Sequence, residues 1–481
     1  MKKFLFLVTI ILALIVGIVG CGGNDSGSDT VENTTPQATT PAPESTEAAT
    51  PEATTPEPEP IPDFDGYKYI IANYYHEHNW IPEPGNSYFG DLRLEHYLDI
   101  EEELNVTIEE IFIPPDEFTD RANTAAAAGT KFADQVHMNM GTLANFRQAG
   151  FLVAFDDLDV IDYTEPKWNS FYIDIARDPA TGLLYGLDFL SWPGRKAFPD
   201  MGLFFNITLI EQLGVDNPYD LFDRGEWTWE NFRRILLEVT EPDLNRYGIS
   251  VIHDMLERAA IVSNGVNFID NENGRLVFNM NRDATFRALE FTNQIRNIDR
   301  THLNVGVEWG EHWYAPLQAL RDHNVVFAMR DIIFMGDLRD NEHTFGMIAF
   351  PKGPDIGNSP WPMSVWNNDV QTQGIFSIGN NLEAAAYIFN RISEPFTGYE
   401  VDSWMEVARR DHFMNDARAF EIYLQMSTNA VSDGAGIFNG HVAGLIADAM
   451  RESSMNQTKT PAEAFGAINE EIQAFLDDRF N

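Results

Sequence analysis

Cysteine is almost absent from this chain. The single one, Cys21, excludes an intramolecular disulfide and any zinc site built mainly of thiolates. Basic residues are also few: 32 Lys and Arg stand against 74 Asp and Glu, a formal net charge of −42. A surface of that sign repels nucleic acid and anionic lipid head groups, and it admits a neutral or cationic small molecule more readily than an anion. The motifs of common catalysts are missing too. There is no Gly-x-Ser-x-Gly elbow, no His-Glu-x-x-His and no Walker phosphate loop. With 74 carboxylates some pair falls at glycosidase spacing by chance, so no glycan hydrolase can be read from them. No repeat with a period of roughly 20 to 50 residues runs along the chain, and nothing calls for a cofactor.

What is present begins with a targeting segment. Lys2 and Lys3 precede an apolar run from Phe4 to Val16, and the segment ends Ile18-Val19-Gly20-Cys21. That ending resembles a bacterial lipobox, which is cut before its cysteine to leave a lipidated N-terminus. The apolar run is slightly short for a membrane span, so residues 1–20 read as a lipoprotein signal peptide and Cys21 as the lipidation site. Residues 21–63 are rich in Thr, Pro, Glu and Ala, and bury too little apolar surface to fold. They read as an extended tether that holds the rest at the outer face of a single, Gram-positive type of membrane.

The remaining length exceeds one ordinary core, and 44% hydrophobic content is that of a globular chain. Apolar spacing predicts strands at 68–74, 106–113 and 134–138, alternating with helices at 92–104, 116–128 and 142–149. This β-α-β-α-β order predicts a parallel sheet with helices on its faces. Leu183 to Leu190 is an apolar run without a helical stripe, read as an extended segment buried on both sides; Gly186 within it marks a close backbone approach or a bend. Met201 to Asn206 reads as a strand, and Thr208 to Leu213 as a short helix ended by Gly214. Thr228 caps a helix with Trp229, Phe232, Ile235, Leu236 and Val239 on its apolar side. Further helices are predicted at 283–297, 315–321 and 382–392, and a strand at 325–329. Helices close the chain, the last opened by the capping box Thr460-Pro461-Ala462-Glu463.

The order of Leu184-Tyr185-Gly186-Leu187, Leu203-Phe204-Phe205-Asn206, Glu226-Trp227-Thr228-Trp229-Glu230-Asn231-Phe232 and Phe345-Gly346-Met347-Ile348-Ala349-Phe350-Pro351-Lys352-Gly353-Pro354 resembles the family 1 extracellular solute-binding proteins, the class that includes maltose-binding protein. The sequence departs from the family pattern at Asp188, where Pro is usual, and at Ile207, where Lys is usual. The resemblance runs from about Tyr67 to the C-terminus. It implies an α/β, two-lobed periplasmic-binding-protein-like fold of type II, each lobe a mixed, mainly parallel sheet flanked by helices. Residues 64–185 with 348–395 would form the first lobe, and 190–344 with 396–481 the second, with crossings near Tyr185, Phe350 and 394–399. It also implies a monomeric, non-catalytic binding subunit that delivers a solute, a sugar or oligosaccharide, to the permease subunits of an ABC importer. A surface lipoprotein that senses or adheres is the alternative.

A sugar site stacks aromatic faces on pyranose rings and pairs planar polar groups with hydroxyls. Ten tryptophans are present, several in predicted loops: Trp80, Trp192, Trp309 and Trp366. Trp192 follows the first crossing and is the foremost candidate, with Trp80 and Trp309 next. Polar candidates beside them are Glu77, Arg195 and Glu311. By resemblance, the loops after the first and third strands bring His76, Glu77 and Asn139 to the cleft, and the end of the 325–329 strand brings Asp331 and Phe334. His76-Glu77-His78 could ligate zinc, but the long helix that joins the lobes of metal-specific binding proteins is not evident, and no metal is expected.

Overall fold

The structure is a computed structural model. It describes residues 60–479 except 76, 78, 86, 171–172, 174–175, 179, 193–200, 274, 306–313, 363, 367–370, 415 and 433–439, with backbone only for 333, 364–366, 430–432, 440–441 and 479. The signal peptide, Cys21 and nearly all of the tether therefore lie outside the described residues.

The first stretch gives β1 (Tyr67–Asn73), α1 (Tyr88–Leu104), β2 (Val106–Phe112), α2 (Pro115–Ala128), β3 (Gln135–Asn139) and α3 (Met140–Gln148). The helix ends follow local chemistry. The Ser87 hydroxyl accepts from Gly90 N at 3.0 Å and starts α1 earlier than the apolar stripe suggests, while Gly129, at φ 64°, ends α2 in the left-handed conformation. The second stretch gives β4 (Met201–Asn206), α4 (Ile207–Leu213), α5 (Pro218–Asp223), α6 (Trp229–Val239), β5 (Tyr247–Ser250), α7 (Met255–Ser263), β6 (Ile269–Glu272), β7 (Arg275–Phe278), α8 (Asp283–Asn293), α9 (Ala315–Arg321), β8 (Val325–Asp331) and β9 (Phe345–Ile348). Then come β10 (Ser364–Trp366), β11 (Gln371–Ile375), α10 (Leu382–Ile392), α11 (Ser403–Asp411), α12 (Ala417–Thr428), β12 (Ala430–Ser432), α13 (Gly440–Met450) and α14 (Pro461–Arg479). No helix among the described residues is long and apolar enough to cross a membrane.

Two four-stranded sheets organise these elements, in the orders β11-β3-β1-β2 and β5-β8-β4-β9. In the first, β1, β2 and β3 run parallel and β11 opposes them; in the second, β4 opposes β8 and β9, and β5 runs with β8. Each sheet has its own hydrophobic core. One gathers Tyr69, Val136, Leu187, Phe189, Trp192, Phe376 and Phe396; the other gathers Phe204, Trp227, Phe327, Phe350, Trp404 and Leu476. The apolar face read for α6 is the buried one, with Phe232, Ile235, Leu236 and Val239 fully enclosed.

The chain passes between the cores after Trp192, after Trp366 and between Tyr399 and Trp404. The middle passage comes later than the resemblance suggests. Ile348 pairs with Leu203 of β4, the Trp227 indole donates to Ala349 O at 2.8 Å, and Lys352 N donates to Trp227 O at 3.1 Å. These bonds keep residues 345–354 with the second core, so the returning strand of the first sheet is β11. The 184–189 segment is extended as expected, but it bridges β11 at Leu187↔Gln373 rather than forming a full strand. Gly186 marks the close approach: a Cβ there would lie 2.7 Å from Thr372 Oγ1.

Candidate functional site

The register of the sheets says where a ligand can sit. β11 enters the first sheet at Gln371, paired with Asn139, the last residue of β3; β4 enters the second at Met201, paired with Asp331, the last residue of β8. The strands that follow the two crossings therefore begin at the carboxyl ends of their neighbours, β11 at that of β3 and β4 at that of β8. Each entering strand runs antiparallel because it leads away from the crossing while its neighbour runs toward it. In open α/β sheets ligands bind outside the carboxyl ends of the strands. Five residue steps separate Trp366 from Gln371, which bounds that passage to about 18 Å.

On the first lobe, the β3 end is knitted to the loop after β1. Asn139 N donates to Tyr74 Oη at 2.9 Å, and the Asn139 amide oxygen accepts from Thr142 N at 2.9 Å, capping α3. Tyr74 and Tyr75 stack at 4.5 Å, and Tyr75 lies 5.0 Å from the His137 ring. Asn79 Nδ2 stands 3.2 Å from His137 Nδ1. Glu110 fixes the loop by accepting from Asn73 Nδ2 at 2.5 Å, Trp80 N at 3.1 Å and Ile81 N at 2.8 Å. Glu77 is exposed on this loop; His76 lies outside the described residues.

On the second lobe, the β8 end carries Arg330 and Asp331, with the guanidinium 3.6 Å from the carboxylate. Arg330 is fully buried and its guanidinium sits 4.8 Å over the Phe334 ring. Burial pulls its pKa below the usual arginine value, and Asp331 works against that shift. Tyr314 meets Phe334 edge-on at 5.4 Å and remains 56% exposed, so an aromatic surface flanks the acid. Arg330 thus links Asp331 and Phe334 at the end of β8, and Asn139 occupies the matching strand end of the other sheet.

The tryptophans are corrected. Trp192 is 2% exposed, and its indole donates to Ile392 O and Glu394 O, both at 3.1 Å. Phe189, Phe396, His96, Trp80 and Tyr97 surround it at 4.9–6.0 Å, and Arg93 lies 5.2 Å over its ring. Trp80 is likewise 2% exposed, edge-on to His137 at 5.1 Å. Neither ring has a free face for a sugar; both fill the first core because an indole this large is worth more enclosed than open. Trp309, Glu311 and Arg195 lie outside the described residues, and of Trp366 only the backbone is described, paired with Ser432 in a short parallel ladder. Tyr74, Tyr75 and Tyr314 lie near these strand ends and were not among the sequence-derived site candidates. Their signal was position: two follow β1 directly and one precedes α9.

No protein-family model matches this chain, and no curated relative matches it in sequence. Solved structures do match in fold. The GacH receptor of Streptomyces glaucescens, solved unliganded and with acarbose, aligns at 13% identity and TM-score 0.59, covering 86% of this chain and 99% of that one. The ABC substrate-binding protein Lmo0181 of Listeria monocytogenes, in complex with cycloalternan, aligns at 15% identity and TM-score 0.59, over 86% and 100%. UgpB of Mycobacterium tuberculosis, in complex with glycerophosphocholine, aligns at 15% identity and TM-score 0.58, over 86% and 99%. The chain has the mixed α/β, two-core fold of the sugar-binding ABC solute-binding proteins.

Proposed function

We propose that this chain captures a small extracellular solute, a carbohydrate by preference, between its two lobes and delivers it to the permease subunits of an ABC importer. The observation that carries this reading is the pairing of Asn139 and Asp331, the carboxyl ends of β3 and β8, with the first residues after the two crossings. A guest held there touches both lobes and favours the closed form over the open one. Tyr75, Tyr314 and Phe334 supply aromatic surface, and Asn139 and Asp331 supply planar polar groups, while the buried Arg330 lies 3.6 Å from the Asp331 carboxylate, a set suited to a polyhydroxylated ligand. The acidic net charge of −42 disfavours an anionic one. In this reading the first lobe is 64–192 with 371–399, and the second is 201–366 with 404–481. Cys21 carries the lipid that holds the protein at the outer face of the membrane, 21–63 is the tether, and the protein works as a monomer without a cofactor or a catalytic step.

The test has two stages. A thermal-shift screen of sugars, polyols and a glycerophosphodiester identifies a ligand; small-angle scattering at saturation then reads closure. The radius of gyration is expected to fall on binding, and an unchanged value at saturation counts against the clamp. Asp331→Ala is expected to weaken binding by about tenfold or more through a lost charge-assisted hydrogen bond. Because the carboxylate lies 3.6 Å from the buried Arg330 guanidinium, its removal should also lower the melting temperature, so affinity is read by calorimetry per folded molecule, and an unaltered value removes Asp331 from the site.

A further inference from the structure

We propose that His323, Glu342 and His343 form a three-ligand site for a divalent transition metal, Zn²⁺ by its donor set, at the end of the second sheet away from the crossings. The His nitrogens and the carboxylate oxygen all lie within 4.8 Å of one another. His323 sits in the turn between α9 and β8, and Glu342 and His343 lie just before β9. β8 separates this cluster from Asp331 by about 20 Å of strand, so it is distinct from the solute site.

The surroundings orient the ligands. His323 Nε2 is 3.0 Å from Asn341 Oδ1, which leaves Nδ1 directed to Glu342 Oε1 at 3.9 Å. Asn341 is itself fixed, donating to Arg321 O and accepting from His343 N, each at 3.0 Å. Asn206 faces His343 Nδ1 with its amide, Nδ2 at 2.9 Å and Oδ1 at 3.1 Å, and that oxygen accepts from Leu209 N at 2.9 Å to cap α4. Metal binding selects the tautomer that gives Nδ1–H to the oxygen and leaves the lone pair on Nε2. Such outer partners, which set the tautomer and the ring direction, are what ligating histidines require. His323 adopts φ 62°, a left-handed conformation that a non-glycine residue takes at a cost, so the position holds its imidazole against local preference.

The donor set is that of borderline metals: two imidazoles and a carboxylate, with a fourth position left for water. The rings now stack in parallel, centroids 3.5 Å apart. Tetrahedral Zn²⁺ places two ligating nitrogens about 3.3 Å apart, so a tilt of one ring and a swing of the Glu342 side chain, which is 81% exposed, complete the site. The metal would pin the α9–β8 turn to the start of β9.

The experiment is calorimetric titration of the chelator-stripped full chain with Zn²⁺ alone. One saturable equivalent is expected, with a rise in melting temperature. His323→Ala and His343→Ala should each weaken binding at least tenfold, and Glu342→Gln, on an exposed side chain that the fold does not need, should weaken it measurably. A His76→Ala/His78→Ala variant should bind as wild type; if it loses the site instead, the metal belongs to that loop and the proposal fails. Absence of saturable binding, or binding unaltered in His323→Ala/His343→Ala, also overturns it.

Discussion

In Trp192→Ala, an indole that is 2% exposed is removed from a site closed by Trp80, Phe189, His96, Tyr97 and Phe396. Truncating a buried aromatic to alanine costs about 3–5 kcal/mol, because the transfer energy and the residual cavity add. The loss reaches past packing. The indole N–H joins the root of the first crossing to Ile392 O and Glu394 O at the end of α10, and Ser191 Oγ donates to Ser393 O beside it at 2.5 Å. Trp192→Phe keeps one aromatic ring but drops the N–H and the rest of the indole, so about 1–3 kcal/mol is expected. Urea unfolding of the full chain reads both variants, with the midpoint shift taken at constant m. The alanine change must be the larger, and ligand affinity per folded molecule should change little. A stability loss below about 1 kcal/mol in Trp192→Ala, joined to a clear loss of affinity, would refute the buried placement and return the indole to the ligand wall.

Two further outcomes are expected. Gly186→Ala puts a Cβ 2.7 Å from Thr372 Oγ1 and 3.2 Å from Ala176 Cβ, and Thr372 cannot turn away without losing its 3.2 Å bond to Leu187 O; a loss of about 1–3 kcal/mol in urea unfolding follows, with part recovered in Gly186→Ala/Thr372→Ala. His302 is held well below its ordinary value of 6.5, first by burial and then by Arg296. The unfolded chain takes up a proton that the folded chain refuses, so this contribution is complete above pH 6.5 and drains away as pH falls below it toward the depressed folded value. His302→Asn should flatten the stability slope on the acid side of pH 6.5, and an unchanged slope would remove His302 as its source.

Most of the fold was readable because it rests on local signals. β1, β2 and β3 appear within a residue or two of the apolar alternation, α10 spans Leu382–Ile392 as its stripe predicts, and Thr460 and Glu463 exchange bonds at 2.9 and 3.3 Å as a capping box should. The middle crossing was not readable, because it is decided by partners far away in sequence. A run such as Phe345–Pro354 looks the same whether it leaves a sheet or stays in it; the Trp227 indole on Ala349 O, more than a hundred residues distant, keeps it.

The site divides in the same way. Asn139 and Asp331 were named by resemblance, from segments that follow strands, and the register puts both at strand ends paired with the first residues of β11 and β4. The tryptophans were chosen by residue type in apparent loops, and type alone misleads here for a physical reason. A crossing must be held rigidly at its root, and the side chain with the most apolar area and one N–H to satisfy two carbonyls is the best anchor for it. Trp192 meets that need with Ile392 O and Glu394 O. A ligand wall needs the opposite: a ring that tolerates water when the cleft is empty and has a polar tip to keep wet. Tyr314, 56% exposed and edge-on to Phe334 beside Asp331, fits that requirement as an enclosed indole cannot.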